Sequence, residues 1–497
     1  MGINSIFNIA SSGVRMSQVA MEVTSENIAN VNTSGYSTQR AVFETAPVLN
    51  TNGFPLGSGV KLAAVQRNHD NLLQSQMASG NSAYGESLAK QTALEQIQPS
   101  FNELSTDGLG QAVEDFFNSW QDLSVNPQGT PERQAVLSRA QILVDNFHQM
   151  NENLQSAVDN ADNALVGITA DITDKAKSIA SLNSQIVQTE SLGGNANELR
   201  DQRDNLVLEM AKQVGVSYTE NSDGTMTVKL PANLSGGGQT LVDGNKYATL
   251  YTKNNGTNND IMVTAAGNPP TAPSTLDTNV TSSIGGPNDP TKPADNSLGA
   301  IGGTLQIRDE IIPGYQDSLN EMANQLATAV NNLQKSGYGL DSSTGNNFFL
   351  YDGVNPVTAA NISLDPGLTP DSIAAAKQDP ASAGGGPGDN VQALAIAQLK
   401  TAPLNYTVNG KTTSGTVASF YNSLVSSVGL DTQHAENENQ QDDSFMKQLT
   451  SIRESNSGVS LDEELTNLIK YQQSYQASAK MISAATDMMD TILNIVR

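Results

Sequence analysis

Side chains able to do chemistry are sparse and scattered in this sequence. Its three histidines, His69, His148 and His434, stand far apart with no HExxH spacing, and there is no cysteine. Neither a metal site nor a nucleophile–base arrangement finds its donors close together. The acidic stretch HAENENQQDD beginning at His434 lacks the turn glycine of a calcium loop and reads as a solvated helix face or hinge. SGGGQ at 235–239 and GGGPGD at 384–389 carry glycines without a following Gly-Lys-Ser/Thr, so both read as loops rather than phosphate cradles. Arg200 and Arg203 alternate with Asp201 and Asp204 at helical spacing. Mutual salt bridges are the simplest reading, and a contact between subunits is the other. No catalytic, cofactor-binding or metal-binding residue is nominated, and no cofactor is expected.

Composition narrows the classes further. The 497 residues exceed what one core organises, and at roughly 150 residues per domain they imply about three domains. Aromatics are only 5% with a single tryptophan, Trp120, which suits long helices better than thick sandwiches. With 26 basic against 51 acidic residues the formal charge is −25, unfavourable for nucleic acid and for anionic membrane surfaces. The N-terminal segment interrupts its apolar residues with Asn4, Ser5 and Asn8 and has its first positive charge at Arg15, so it is not read as a signal peptide. No run approaches the ~20 apolar residues of a membrane span.

The elements follow from periodicity. Ile3, Phe7, Ala10, Val14, Ser17, Met21, Thr24, Ile28 and Val31 alternate spacings of four and three, the seam of a helix that packs on another. The turn residues NTSGY end it, and an extended segment with a turn is expected from Thr38 to Val65. Three or four long helices follow between 68 and 214. One starts at a Thr130 cap with Pro131 in first position and runs from Arg133 to Val187, with Gly167 as a weak point. VSYTENSDGTMTVKL has two alternating runs about Asp223 and Gly224, a hairpin that opens a β region. Helix resumes at Gly303. Short strands are expected at 348–351 and 360–364, a helix at 390–400, a hairpin at 406–415, and helix from Ser419 onward. At the far end Leu461, Leu465, Leu468, Gln472, Tyr475, Ala479, Ile482, Thr486, Met489, Leu493 and Val496 form a second unbroken seam, opened by Ser460 and the acidic residues 462–464.

Two heptad helices enclosing everything else place both chain ends together. Each is apolar on more than one face: Ile6, Ile9, Met16, Ala20 and Val23 lie off the first seam, and Ile469, Tyr471, Met481, Met488, Ile492 and Ile495 off the second. A single pair cannot cover that much apolar surface, so neighbouring subunits are expected to. The predicted fold is mainly α with an inserted β domain. A terminal coiled-coil domain comprises 1–65 plus 455–497, a long-helix domain with short β elements 66–216 plus 300–454, and the β domain 217–299.

SENIANVNTSGYSTQR at 25–40 resembles the N-terminal signature of the flagellar rod, hook and hook-associated family, and residues 457–496 resemble its C-terminal one. The middle, at 116–147, 196–216 and 307–331, resembles the helical domain of the member that joins hook to filament. The resemblance implies a secreted structural subunit without enzymatic activity, exported to the flagellum without a cleaved signal. Its implied interface has two parts. One is Ile3, Phe7, Val14, Met21 and Ile28 with the amides Asn27, Asn30 and Asn32 and the exit turn Gly35–Tyr36. The other is Leu461, Leu465, Leu468, Tyr471, Tyr475, Ile482, Met489 and Leu493, which a cytoplasmic export chaperone would also cover. Implied partners are copies of itself in a ring-like layer, hook protein and hook-associated protein 3. Another axial subunit, of hook or rod type, is the alternative; a filament-borne extracellular hydrolase would need a carboxylate pair or nucleophile that nothing here nominates.

Overall fold

The computed structural model describes residues 3–47, 49–51, 54–101, 108–230, 238–275, 277–281, 298–351 and 354–495. Helix α1 (Ile3–Ala29) leads into the strands β1 (Gln39–Thr45), β2 (Leu49–Thr51), β3 (Phe54–Leu56) and β4 (Val60–Arg67), paired antiparallel as β1–β4 and β2–β3. Four helices follow: α2 (Asn71–Ile97), α3 (Leu109–Val125), α4 (Thr130–Ser191) and α5 (Asn197–Gln213). The 62-residue α4 is continuous through Gly167. Its cap position is Gly129, which has no side chain to cap with, rather than Thr130, which is already helical, so Pro131 stands second in the helix and not first, still within the first turn.

The β region begins at the expected hairpin. Strands β5 (Ser217–Glu220), β6 (Met226–Lys229), β7 (Thr240–Asp243) and β8 (Lys246–Tyr247) form one antiparallel sheet; β9 (Leu250–Asn254), β10 (Asn259–Val263) and β11 (Thr278–Asn279) form another in the order β11-β10-β9. Residues 235–237 of SGGGQ lie outside the described residues. Helix returns with α6 (Gly299–Gln306), which passes through a π-helical turn, Ile307–Ile311, into α7 (Ile312–Ser336). Pro313 explains that turn: it has no N–H to give, and the wider turn absorbs the missing bond. Next come α8 (Val391–Gln398), the hairpin β12 (Leu404–Val408) and β13 (Lys411–Gly415), then α9 (Val417–Ser457) and α10 (Leu461–Ile495). The fold is mainly α with a β insertion.

Two large cores share α4. The first gathers Phe116, Phe117 and Trp120 of α3 with Leu143 and Phe147 of α4, Leu319 and Leu326 of α7, and Phe348 and Phe349. The scarce aromatics are concentrated there, with Trp120 and Phe348 ring centroids 5.5 Å apart. The turn-rich segment after α7 belongs to this core. Asn331 donates to the Phe349 carbonyl and accepts from the amides of Phe348 and Phe349, and buried Arg133 donates to the carbonyls of Pro127, Pro370 and Ile373. The second core packs Val228, Leu241, Leu250 and Ile261 of the β region on Ile172, Ala176 and Ile179 of α4. Asn183 fastens the sheet to the helix through the Met226 and Gly244 carbonyls and the Met226 amide.

Candidate assembly interface

Helices α1 and α10 run antiparallel. Ser17 Oγ donates to Ser474 Oγ at 3.2 Å, a β-carbon on Gly13 would lie 2.7 Å from Ser478 Oγ, and Thr24 and Asn27 bond to Glu464. The contact stripe on α1 is made of small or polar residues: Ala10, Ser17, Ala20, Thr24 and Asn27 are buried, with Gly13 between them. Such residues let two helix axes approach closely, at the cost of leaving larger side chains outside the seam. Of the expected interface residues, Phe7 is 46% exposed, and Val14, Met21 and Ile28 are half-buried. The Ile3 side chain lies outside the described residues, as does Val496. On α10, Ala485 is buried and Leu468, Tyr471, Tyr475 and Ile482 are half-buried along the pair, whereas Leu461, Leu465, Met489 and Leu493 are exposed. Ile469, Met481, Met488 and Ile492 are exposed as well.

The asparagine-rich turn does more than end a helix. The buried Asn27 amide gives its N–H to the Gln39 carbonyl and takes the Gln39 N–H, both at 2.9 Å, so it substitutes for a neighbouring strand. The Tyr36 hydroxyl donates to Asn27 Oδ1. Burial, followed by Glu26, pushes the Tyr36 hydroxyl far above the ordinary phenol range, so it remains a donor. Asn30 bonds back to Glu26 and receives Thr33; Asn32 is exposed. Gly35 has φ +82°, a conformation that favours glycine, and a β-carbon there would also have to displace the Asn205 amide.

From this turn the terminal pair is clasped to the body. Ser37 donates its amide and hydroxyl to Asp201, and Arg67 bonds Asp201 at 2.8 Å and Asp204 at 2.7 Å. Burial alone would lower the Arg67 pKa, but Asp204 and Asp201 outweigh it and the net shift is upward. The His69 imidazole, beside Arg67, is pushed down by burial and by that cation. Gln39 reaches Glu198 and Asn197. Thr38 caps the end of α9 through the carbonyls of Ser457 and Gly458, while Arg453 donates to the Gly35 carbonyl.

The expected pairing among residues 200–204 is therefore corrected. Asp201 and Asp204 serve Arg67; Arg200 pairs with Glu190 and Glu220; buried Arg203 bonds Glu220, Asn183 and the Gly224 carbonyl. The only pairing among them is a 3.9 Å approach of Arg203 to Asp204. The stretch from His434 is an outer face of α9 and not a hinge, with His434 exposed beside Glu438. His148 meets the Ile362 carbonyl. Among the described residues no group of His, Asp and Glu is arranged to hold a metal, and no helix is long and apolar enough to cross a membrane.

Paired end helices with unused apolar surface, clasped to a long-helix body, are the architecture of a subunit built to assemble, and the ends match axial flagellar proteins. Residues 7–36 match the flagella basal body rod protein model, and 453–495 the flagellar basal body rod FlgEFG protein C-terminal model. Residues 94–349 match the flagellar hook-associated protein FlgK helical domain, and the chain belongs to that family. It is 28% identical to flagellar hook-associated protein 1 of Bacillus subtilis (strain 168), covering 96% of this chain and 95% of that one. It is 26% identical to flagellar hook-associated protein 1 of Salmonella typhimurium, covering 99% and 100%. The fold is similar to the solved flagellar hook junction protein FlgK from Burkholderia pseudomallei, with TM-score 0.63 and 16% identity over 77% of this chain and 100% of that one.

Proposed function

We propose that this chain is a structural subunit of the layer that joins the flagellar hook to the filament, docked there through α1 and α10, with no catalytic role. The observation that carries this is the seam. Because α1 and α10 meet through small residues, Phe7, Leu461, Leu465, Ile469, Ile492 and Leu493 stay open, an apolar surface that monomers rarely leave uncovered. Identical subunits meeting head to tail close into a ring or helical layer. Hook protein on one side, hook-associated protein 3 on the other and neighbouring copies of this chain would cover these faces. Before export without a cleaved signal, a cytoplasmic chaperone would cover the outward face of α10 by taking an amphipathic helix in a groove.

Hydrogen exchange on the purified chain, alone and with preformed hooks, tests the reading. Amides of α1 and α10 should gain protection on the hook. If they exchange identically in both samples while α9 or the β region becomes protected, docking runs through the body and the proposed interface is wrong.

A further inference from the structure

We propose that Met481, Met488 and Met489 form an oxidation-sensitive site, whose conversion to methionine sulfoxide blocks docking of the free subunit. The chain has 13 methionines and no cysteine, so no thiol of its own competes for oxidant. Met77, Met150, Met210, Met226, Met262 and Met322 are buried. Met16, Met21 and Met446 are half-buried. Among the described residues only Met481, Met488 and Met489 are exposed, at 45%, 49% and 40%, and all three sit toward one end of α10. Met488 and Ile492, like Met489 and Leu493, are four residues apart, so the thioethers join an exposed apolar surface.

The oxidant class is a peroxide. The thioether sulfur attacks one peroxide oxygen, an S–O bond forms, and the O–O bond breaks. The departing hydroxide takes up the proton left on the transferred oxygen, so that water leaves. Sulfur is oxidised by two electrons and the peroxide is reduced by two. The product replaces a flexible apolar side chain with a polar, chiral one at three points of a surface meant to be dry. The consequence for docking rests on the function proposed above. If this face is covered in the layer, the sulfurs are open to oxidant only before docking, which makes the site a check on unassembled subunits.

The test is limited hydrogen peroxide treatment of the full chain, peptide mass mapping, and sedimentation with preformed hooks. Peptides carrying 481, 488 and 489 should gain oxygen well before those carrying Met210, Met226 or Met322, and hook binding should weaken at least about tenfold, or ~1.4 kcal/mol. Peroxide should leave the hook binding of the triple variant Met481→Leu, Met488→Leu, Met489→Leu at the level of the same variant untreated, and methionine sulfoxide reductase should restore the oxidised wild type. Equal oxidation of buried and exposed methionines, or oxidised chain that sediments like untreated chain, overturns the proposal. An untreated chain that maps as expected but never sediments with hooks sinks the docking reading and the block with it, while the selective chemistry stands.

Discussion

Glu464 is an acid placed where an amide would be easier to bury. It lies in the seam between α1 and α10, 6% exposed, with Asn27 and Thr24 as its hydrogen-bond partners. Burial raises its pKa, the Asn27 bond opposes that, and the neighbouring Glu463 raises it again; the net shift is up. A carboxyl whose folded pKa exceeds its unfolded one stabilises the folded form below the unfolded value. That contribution is lost as pH rises through the folded value. Pairing of α1 with α10 should therefore strengthen on acidification, and Glu464→Gln should make the pair insensitive to pH and firmer at neutral pH. Exchange rates of α10 amides across a pH series check this after correction for intrinsic exchange; an unchanged pH profile in the variant would exclude Glu464 as the group. The sequence shows an acid near a helix start and suggests dipole compensation. It does not show that a residue more than four hundred positions away closes over it. Asp201 and Asp204 mislead in the same way, because local spacing offers Arg200 and Arg203 as partners while Arg67 arrives from the end of a strand.

At the scale of elements the periodicities are legible because each helix buries one stripe for a long distance. The hairpins at Asp223–Gly224 and Asn409–Gly410 announce themselves by turn chemistry. Which of several stripes on α1 faces α10 is not legible, since small residues and large apolar ones repeat with the same period. Only the close approach at Gly13 and Ser17 distinguishes them. A cysteine-free chain makes the register testable. The double variant Ser17→Cys, Ser474→Cys should oxidise to an intramolecular disulfide, and adding Gly13→Leu, whose side chain crowds Ser478 one turn along the seam, should slow its formation. Failure of the first pair to cross-link in the folded chain would mean the helices meet in another register.

For the whole molecule the decisive join is between the terminal pair and the body, and it depends on few groups. The Arg67, Asp201 and Asp204 side chains are each less than a tenth exposed. Removing the cation leaves two buried carboxylates without it, which costs about 3–5 kcal/mol. Arg67→Met should lower stability to urea by that order, and Arg67→Lys should recover only part, because a single ammonium does not reproduce the planar fork. A loss below about 1 kcal/mol, the range of an exposed pair, would show that the clasp holds through Ser37 and Thr38 instead.

The long helix α4 carries one more implication. Its buried residues, from Val136 and Ala140 through Val158 and Leu165 to Ile179 and Ile186, lie on one unbroken stripe that serves the aromatic core first and the β region after it. At 1.5 Å per residue its 62 residues span roughly 93 Å. The two cores are therefore held in rotational phase by this helix together with α6 and α7, whose continuous run carries Ile301 and Leu305 in the second core and Ile312 and Leu319 in the first. One residue inserted between Val158 and Leu165 would turn the β-bearing part of α4 about 100° out of phase with α6 and α7, whereas seven would displace it along the axis and turn it by only about 20°. The reach of the β region is in this sense quantised, adjustable only by whole heptads added to both connections together.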